Sequence, residues 1–155
     1  MEQRVSFITL AVADLAASHR FYVDGLGWTP EFHDPSEVLM FTAGPQTVLS
    51  LWDRAHFEAE VGAPARTGPG VVPITLSHNV HERNQVDDVL ADARAAGARE
   101  VSDGAEREWG GYTGYFADPD GFRWEVAWNP GPVGQLVLPP VADTTEGVDT
   151  GTGAG

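Results

Sequence analysis

Glu125 is the side chain with the clearest capacity for chemistry in this sequence. A carboxylate that faces a cavity can accept a proton as a general base, or it can bind a hydroxyl or cationic group of a ligand. Arg123 precedes it by two residues and can hold a ligand carboxylate. In the structural alternative, the two charges only neutralise each other. We therefore predict Glu125 as a candidate catalytic base and ligand contact, and Arg123 as a candidate ligand contact.

Aromatic side chains give the second functional signal. Trp109 and Tyr112 flank two glycines, a pattern that indicates a loop at the edge of a cleft. Aromatic walls with few polar groups suit a largely apolar, planar ligand, although most Trp and Tyr residues serve ordinary packing. Trp124 and Trp128 are predicted to be such core residues. The aromatic residues that we predict to contact a ligand are Phe7, Trp52, Trp109 and Tyr112.

Hydroxyl groups are the remaining polar candidates. Thr9, Ser50 and Thr75 can hydrogen-bond a ligand, or they can be satisfied by neighbouring strands. His78, a lone histidine on a predicted strand, is interpreted as a satisfied core residue. The chain contains no Cys and no Lys, which excludes thiolate catalysis, disulfides and Schiff-base chemistry. It also lacks a nucleophile elbow and a phosphate-binding glycine loop.

The net charge excludes several classes of partner. The 155 residues include 23 Asp and Glu against nine basic residues, for a formal net charge of −14. Phosphate backbones and anionic lipids repel such a surface, so we expect no nucleic acid and no membrane as a partner. The sequence has no apolar run near the ~20 residues of a membrane span, and its start does not resemble a secretory signal. We therefore expect a cytoplasmic protein.

An internal repeat organises the chain. The segment Val5–Val12 resembles Val71–His78, and their identical Ile-Thr-Leu cores lie 66 residues apart. Each copy is followed by a helical stretch and then by short strands. The sequence therefore predicts an α+β fold of two tandem βαβββ modules, whose curved mixed sheets form around a cleft.

The repeat also sets the predicted boundaries. One domain spans 1–128, with modules at about 5–53 and 71–128 and a linker over 54–70. The Pro- and Gly-rich tail over 129–155 is expected to begin with a short segment that docks on the domain. The rest of the tail is expected to be disordered. The predicted helices are Leu15–Val23 and Arg83–Ala96, and the predicted strands after the first are Trp28–His33, Val38–Thr42, Val48–Asp53, Val71–Val80, Arg99–Ser102, Gly114–Ala117 and Phe122–Trp128.

Alternation along these strands predicts which side chains line the cleft. If Glu125 faces the cleft, Arg123 shares its face, and Trp124 and Trp128 pack away under the helix. The other strands that border the cleft contribute Phe7, Thr9, Ser50, Trp52, Thr75 and Ser77 to it.

Three motifs follow one another along the chain: Phe7–Leu15, then Ser18–Tyr22 with Leu26–Trp28, then Gly111–Val126 with its Asp-Pro-Asp-Gly turn. Together they resemble the vicinal oxygen chelate superfamily, which includes glyoxalase I, fosfomycin-resistance proteins, extradiol dioxygenases and bleomycin-binding resistance proteins. The resemblance covers about Val5 to Trp128 and implies the paired-module fold. It is less specific for function, because one scaffold hosts many chemistries.

The resemblance also bears on metal binding. Metal enzymes of that superfamily carry one ligand on the first strand and one on the last strand of each half. By position, these places are Phe7, Ser50, Pro73 and Glu125. Only Glu125 is a good metal ligand, whereas a catalytic divalent ion takes about three protein ligands. We therefore expect no metal and no other cofactor.

Three functions follow from the resemblance. The preferred one is a metal-free protein that binds a small, partly aromatic or apolar molecule in the cleft, like those members that sequester a toxic compound. The alternatives are a metal-independent lyase or isomerase with Glu125 as general base, and a metal-dependent glyoxalase- or dioxygenase-type enzyme. A homodimer is also expected, because modules in this superfamily often pair across subunits.

Overall fold

The computed structural model describes residues 1, 5–65, 68, 72 and 74–140. Within these residues, none of the helices combines the length and apolarity that crossing a bilayer requires. The elements in chain order are β1 (Phe7–Val12), α1 (Leu15–His19), a π-helical segment (Arg20–Gly25), β2 (Phe32–Asp34), β3 (Val38–Gly44), β4 (Thr47–Asp53), α2 (Arg54–Val61), β5 (Thr75–Val80), α3 (Arg83–Ala95), β6 (Ala105–Glu106), β7 (Tyr112–Ala117), β8 (Arg123–Trp128) and α4 (Pro132–Val137).

These strands form two four-stranded sheets of the same topology. The first sheet has the order β1-β4-β3-β2, and the second has the order β5-β8-β7-β6. In each sheet the first strand of the module runs parallel to the last, and the other neighbours are antiparallel. Each sheet is therefore one βαβββ module, and the predicted α+β fold of two tandem modules is confirmed.

The first helix is positioned by a cap and by a close contact. Asp14 accepts a hydrogen bond from the Ala17 amide at 3.0 Å, which satisfies a free donor at the start of α1. The helix continues as the π-helical segment, which ends at Gly25. A Cβ at Gly25 would lie 2.6 Å from the Cβ of Ala96 at the end of α3. Gly25 therefore allows the two modules to touch.

The second module is built by similar local signals. Glu82 and Gln85 form a capping box at the start of α3, and the buried side of that helix includes Leu90. The turn between β7 and β8 begins at Asp118, whose carbonyl accepts from the Gly121 amide at 3.0 Å. Gly121 has a φ of +89°, which a residue with a side chain rarely adopts. The predicted tight hairpin turn is thus present.

The chain between the modules contains a helix that the sequence analysis did not predict. The region assigned as a linker begins with α2, and the Asp53 side chain caps it by accepting from the Ala55 and His56 amides. The tail contains α4, in which Val133, Leu136 and Val137 are exposed, so the docking of this segment stays a prediction. Residues 141–155 lie outside the described residues.

The predicted strand Arg99–Ser102 is wrong in extent. Only one bridge forms there, between Arg99 and Ala117. Further along, the Tyr115 amide donates to the Ser102 side-chain oxygen at 2.8 Å. Because a side chain takes the place of the backbone carbonyl, the regular ladder is interrupted.

Alternate residues of both sheets point into one shared core. Phe21 lies 6.1 Å from Phe116 between ring centres, and Trp28 lies 5.6 Å from Trp124, so the helix-bearing sides of the two modules pack together. The opposite faces of both sheets point outward. The core includes Leu10, Val12, Leu39, Phe41, Leu49, Leu51, Val86, Leu90, Ala93 and Val126.

A chain of buried hydrogen bonds crosses this core. The indole Nε1 of Trp124 donates to the Tyr22 hydroxyl at 3.0 Å, and that hydroxyl donates to Asp118 at 2.8 Å. The second oxygen of Asp118 accepts from the Asp120 and Phe122 amides. Burial raises the pKa of Asp118 to about 6, although the hydrogen bonds from Tyr22 and Phe122 oppose the shift. The module junction therefore contains an ionisable group.

Asp118 is expected to make stability fall as the pH rises from about 4 to 7. Its pKa is about 6 in the folded state against 3.8 as the ordinary value, so the folded chain holds this proton more tightly than the unfolded chain. The stabilisation is fully present below the unfolded pKa and is lost as the pH rises through about 6. At 1.36 kcal/mol per pKa unit, the loss is on the order of 2–3 kcal/mol.

Urea unfolding across this pH range, at one protein concentration, tests the Asp118 effect. Asp118→Asn keeps the shape of the side chain and removes its titration, so its free energy of unfolding is expected to vary less with pH than that of the wild type. The same pH slope in both proteins would contradict the assignment.

Candidate ligand-binding site

The outward surface of the first sheet, here called the first-sheet face, carries its side chains in rows across the strands. The register pairs Thr9 with Ser50, Ser50 with Met40, and Met40 with Phe32. Paired residues of adjacent strands point to the same side, so these four side chains cross the face in one line. The rows on either side of this line consist of Phe7, Val48 and Thr42, and of Ala11, Trp52 and Val38.

A groove of about 240 Å³ lies on the first-sheet face. Phe7 stands at its edge with 57% of its surface exposed, whereas Ser50 is only 3% exposed. The groove thus combines apolar walls with a few polar groups, as small-molecule sites do. Its lining consists of Phe7, Thr9, Glu37, Val38, Met40, Ser50 and Trp52.

Trp52 contributes to this groove a polar side-chain atom that lacks a hydrogen-bond partner among the described residues. Its ring packs edge-on against Phe57 of α2, with ring centres 6.2 Å apart. Its indole Nε1 is buried and, among the described residues, has no hydrogen-bond partner. A buried donor without an acceptor costs about 1–3 kcal/mol. An acceptor atom on a ligand would remove that cost if a small movement exposed the indole nitrogen.

The outward surface of the second sheet, here called the second-sheet face, is polar and centres on Glu125. The register places Glu125 between Ser77 and Tyr115. The Tyr115 hydroxyl donates to one carboxylate oxygen at 2.6 Å, and the Ser77 hydroxyl donates to the other at 3.1 Å. The hydrogen bond to Glu125 raises the pKa of Tyr115, and burial adds to the shift. The phenol therefore stays protonated at neutral pH and acts as the donor.

The arginines near this face are engaged within the second module. Arg123 forms an ion pair with Glu100, so the structural alternative in which it neutralises Glu125 is wrong. The Arg107 Nε donates to the Thr113 hydroxyl at 2.6 Å. A ligand carboxylate that approached Arg123 would have to compete with Glu100.

The structure brings four of the nine predicted site residues together and places the other five elsewhere. Phe7, Thr9, Ser50 and Trp52 line the same groove, which first-module residues alone enclose. Three more predicted residues lie on the second-sheet face, where Thr75 pairs with Arg123 in the strand register, next to Glu125. Because the modules pack through their helix-bearing sides, the described chain does not gather the nine predicted residues into one cavity, which the sequence had led us to expect.

Tyr112 is not a cleft residue, and its prediction is wrong. Its side chain is 9% exposed, and its hydroxyl donates to Asp87 of α3 at 3.0 Å. The Arg83 guanidinium lies 3.9 Å from the centre of its ring. The alternation of β7 turns Tyr112 toward α3 together with Phe116, which leaves Tyr115 on the outward face.

Trp109 and the strand histidine also differ from expectation. Trp109 is 54% exposed and lies outside the first-sheet groove, with its ring over Gly111. His78 points to the helix-bearing side of β5, but it is exposed and lines a cavity instead of lying in the core. Trp124 is a buried core residue as predicted, and Trp128 packs partly buried against the core.

Sequence reasoning missed Tyr115 and undervalued Ser77. Tyr115 is one residue before the buried Phe116, so strand alternation alone indicates an outward position opposite Glu125. Ser77 becomes the neighbour of Glu125 because β5 is displaced relative to the repeat. Thr9 pairs with Ser50, whereas its counterpart Thr75 pairs with Arg123 instead of Glu125. The sequence carries no signal for this two-residue displacement.

The residues present do not fit the divalent metal that the resemblance implies. Phe7 has no donor atom, and Ser50 lies in a different module from Glu125, whose two oxygens already accept hydrogen bonds. Pro73 lies outside the described residues. Among the residues that the structure describes, no group of three or more His, Asp or Glu side chains is arranged to hold a metal ion. We derive no chemistry through a metal here.

Glu125→Gln is expected to lower the pKa of Tyr115 toward its ordinary value, because a neutral amide no longer disfavours the phenolate. A ¹³C NMR titration of the tyrosine ring carbons measures this shift. Asp87→Asn is the matched control, since Asp87 raises the pKa of Tyr112 in the same manner and does not touch Tyr115. A Tyr115 titration that is unchanged in Glu125→Gln would contradict the hydrogen-bond assignment.

Comparisons with known proteins agree with this fold. A crystal structure of a glyoxalase-related enzyme from Fulvimarina pelagi is 37% identical, over 83% of this chain and 90% of that chain, with a TM-score of 0.75. A glyoxalase/bleomycin resistance protein/dioxygenase from Nocardioides is 28% identical over 84% and 89% of the chains, with a TM-score of 0.70.

More distant comparisons support the fold alone. A lactoylglutathione lyase from Agrobacterium tumefaciens is 22% identical over 83% of this chain and 95% of that chain, with a TM-score of 0.63. No curated protein matches the sequence. The sequence profile of one family, however, matches residues 4–126, nearly the whole of both modules. The chain therefore belongs to the Glyoxalase/Bleomycin resistance protein/Dioxygenase superfamily.

Proposed function

We propose that this protein binds a small, partly aromatic or apolar molecule on its first-sheet face, without a metal. The observation that carries the proposal is the groove of about 240 Å³ between Phe7 and Trp52. Its walls offer aromatic and aliphatic surface, and Thr9 and Ser50 offer hydroxyl groups. Stacking on an aromatic ring contributes about 0.5–1.5 kcal/mol beyond the burial of apolar area. The ligand that fits is apolar over most of its surface and carries at least one acceptor atom.

We further propose that a second copy of the chain completes the site. Phe7 is 57% exposed, and Thr9, Thr75 and Ser77 are exposed as well, so each outward face is open to solvent in a single chain. A homodimer would bring the second-sheet face of one copy over the first-sheet face of the other. The apolar body of the ligand would lie against the groove of the first copy. Tyr115 and Glu125 of the second copy would then orient its polar end.

Trp52→Ala is expected to weaken binding of the neutral fluorescent probe N-phenyl-1-naphthylamine by about tenfold or more, because ~1.4 kcal/mol corresponds to one decade. A fluorescence titration of the probe measures the affinity. Trp109→Ala removes an equally large ring that lies outside the groove, and it is expected to leave the affinity nearly unchanged. Unchanged affinity in Trp52→Ala would refute the aromatic groove as the binding site.

Sedimentation velocity at micromolar concentration is expected to give a particle of twice the 16.6 kDa chain mass. Phe7→Glu adds a negative charge to the proposed interface of an already acidic protein, so it is expected to dissociate the dimer. Leu136→Glu is the control, because Leu136 is 82% exposed on α4 and lies outside both outward faces. A monomeric wild type would overturn the two-copy site.

A second candidate function is metal-independent lyase or isomerase chemistry, and the Tyr115–Glu125 hydrogen bond of 2.6 Å favours it. In that case, Glu125 would take a proton from the bound substrate, and Tyr115 would hold the carboxylate in place. Once a ligand is known, Glu125→Gln separates the two functions. A pure binding protein keeps its affinity and has no turnover to lose, whereas a general-base enzyme keeps most of its affinity and loses turnover.

A further inference from the structure

A second cavity, of about 420 Å³, lies between the modules on their helix-bearing sides. It is separate from the first-sheet groove and shares no lining residue with it. The end of the π-helical segment and the loop after it form one wall, and β5 and α3 form the other. The cavity therefore exists only because the two modules pack together.

Three aromatic rings border this cavity. Trp28 comes from the first module, and Phe116 and Trp124 come from the second. Phe116 and Trp124 are parallel within 7°, and Trp28 stands at 90° to Trp124 with ring centres 5.6 Å apart. Trp124 and Phe116 are only 7% and 3% exposed, so the partly exposed Trp28 offers most of the aromatic surface that a guest can reach. The face of a tryptophan ring attracts a cation.

The polar groups at the same cavity are acidic or weakly basic. Asp24 and Asp92 stand on opposite walls, and the lining residues that the structure describes include no arginine. Asp24 is 62% exposed, and the His19 ring approaches it only to 3.8 Å. His78 also borders the cavity, and partial removal of solvent from its imidazole lowers its pKa below the ordinary value of 6.5, which favours the neutral ring. The cavity has two negative charges and no fixed positive charge.

We propose that this intermodule cavity binds a small organic cation, an ammonium group attached to a small apolar body. The ammonium group lies against Trp28, with Trp124 behind it, and the carboxylates of Asp24 and Asp92 neutralise its charge. The net charge of −14 attracts cations to the whole surface, and this cavity adds aromatic surface beside two carboxylates. The inference does not rest on the function proposed for the first-sheet face.

Choline and its neutral carbon analogue 3,3-dimethylbutan-1-ol are the probes, because they have nearly the same shape and differ in charge. Titrations followed by ¹H–¹⁵N NMR of the tryptophan indole signals, at physiological ionic strength, give both the affinity and the location. Choline is expected to bind roughly tenfold more tightly than the alcohol. It is expected to shift the Trp28 and Trp124 signals and to leave the Trp52 signal in place.

Single substitutions on exposed positions separate the cavity from the general negative charge. Asp92→Asn and Asp24→Asn are each expected to weaken choline binding severalfold and to leave the binding of the alcohol unchanged. Asp88→Asn is the matched control. It removes the same charge from the same helix one turn away from Asp92, at a residue that does not line the cavity, and it is expected to have little effect.

Three results would overturn the proposal. They are equal binding of choline and the alcohol, an equal loss in Asp88→Asn and Asp92→Asn, and shifts spread over all five tryptophan signals. Trp52→Ala distinguishes the intermodule cavity from the first-sheet groove. Trp52 does not line the cavity, so this substitution is expected to leave choline binding unchanged, whether or not the groove binds a ligand of its own.

Discussion

The hydrogen-bonded chain from Trp124 through Tyr22 to Asp118 is the constraint on which the arrangement of the modules depends. Each of its groups is buried, so each would lose a partner at considerable cost if the modules slid or rotated. Gly25 adds a steric condition, since only a residue without a Cβ lets the first helical region approach Ala96 so closely. Together these contacts hold the helix-bearing sides of both modules against each other.

This packing has two consequences for function. The outward faces of the two sheets, with Ser50 and Trp52 on one and Glu125 on the other, are directed away from the shared core. A site that uses both faces therefore needs a second copy of the chain. The same packing leaves a cavity between the modules, and its lining includes Trp28, Trp124 and the carboxylates of Asp24 and Asp92. The packing of the modules thus leaves the outward face of each sheet uncovered in a single chain, and it also forms a separate cavity between the modules.

The two outward faces have diverged although their sheets share one topology. The first-sheet face is mostly apolar, with hydroxyls from Thr9 and Ser50, whereas the second-sheet face carries a carboxylate held by Tyr115 and Ser77. Within the part of the chain that the structure describes, neither face offers the ligand set of a divalent metal. The pair of faces suits a ligand with an apolar body and a polar end. In the two-copy site that we propose, the first-sheet face binds the apolar body and the second-sheet face of the other copy binds the polar end.

The sequence by itself determined the repeat, the two βαβββ modules and the common face that Phe7, Thr9, Ser50 and Trp52 share, because strand alternation and helix caps are local properties of the chain. It did not determine that Tyr112 turns inward, because the two glycines before it indicate a loop, whereas pairing with β8 makes Tyr112 the first residue of β7 and turns it toward α3. The sequence also did not determine the two-residue displacement of β5 that brings Ser77 next to Glu125. Only the tertiary structure decided which faces meet, because the packing of two modules depends on the fit of distant surfaces, such as Tyr22 against Trp124 and Gly25 against Ala96, that no local pattern specifies.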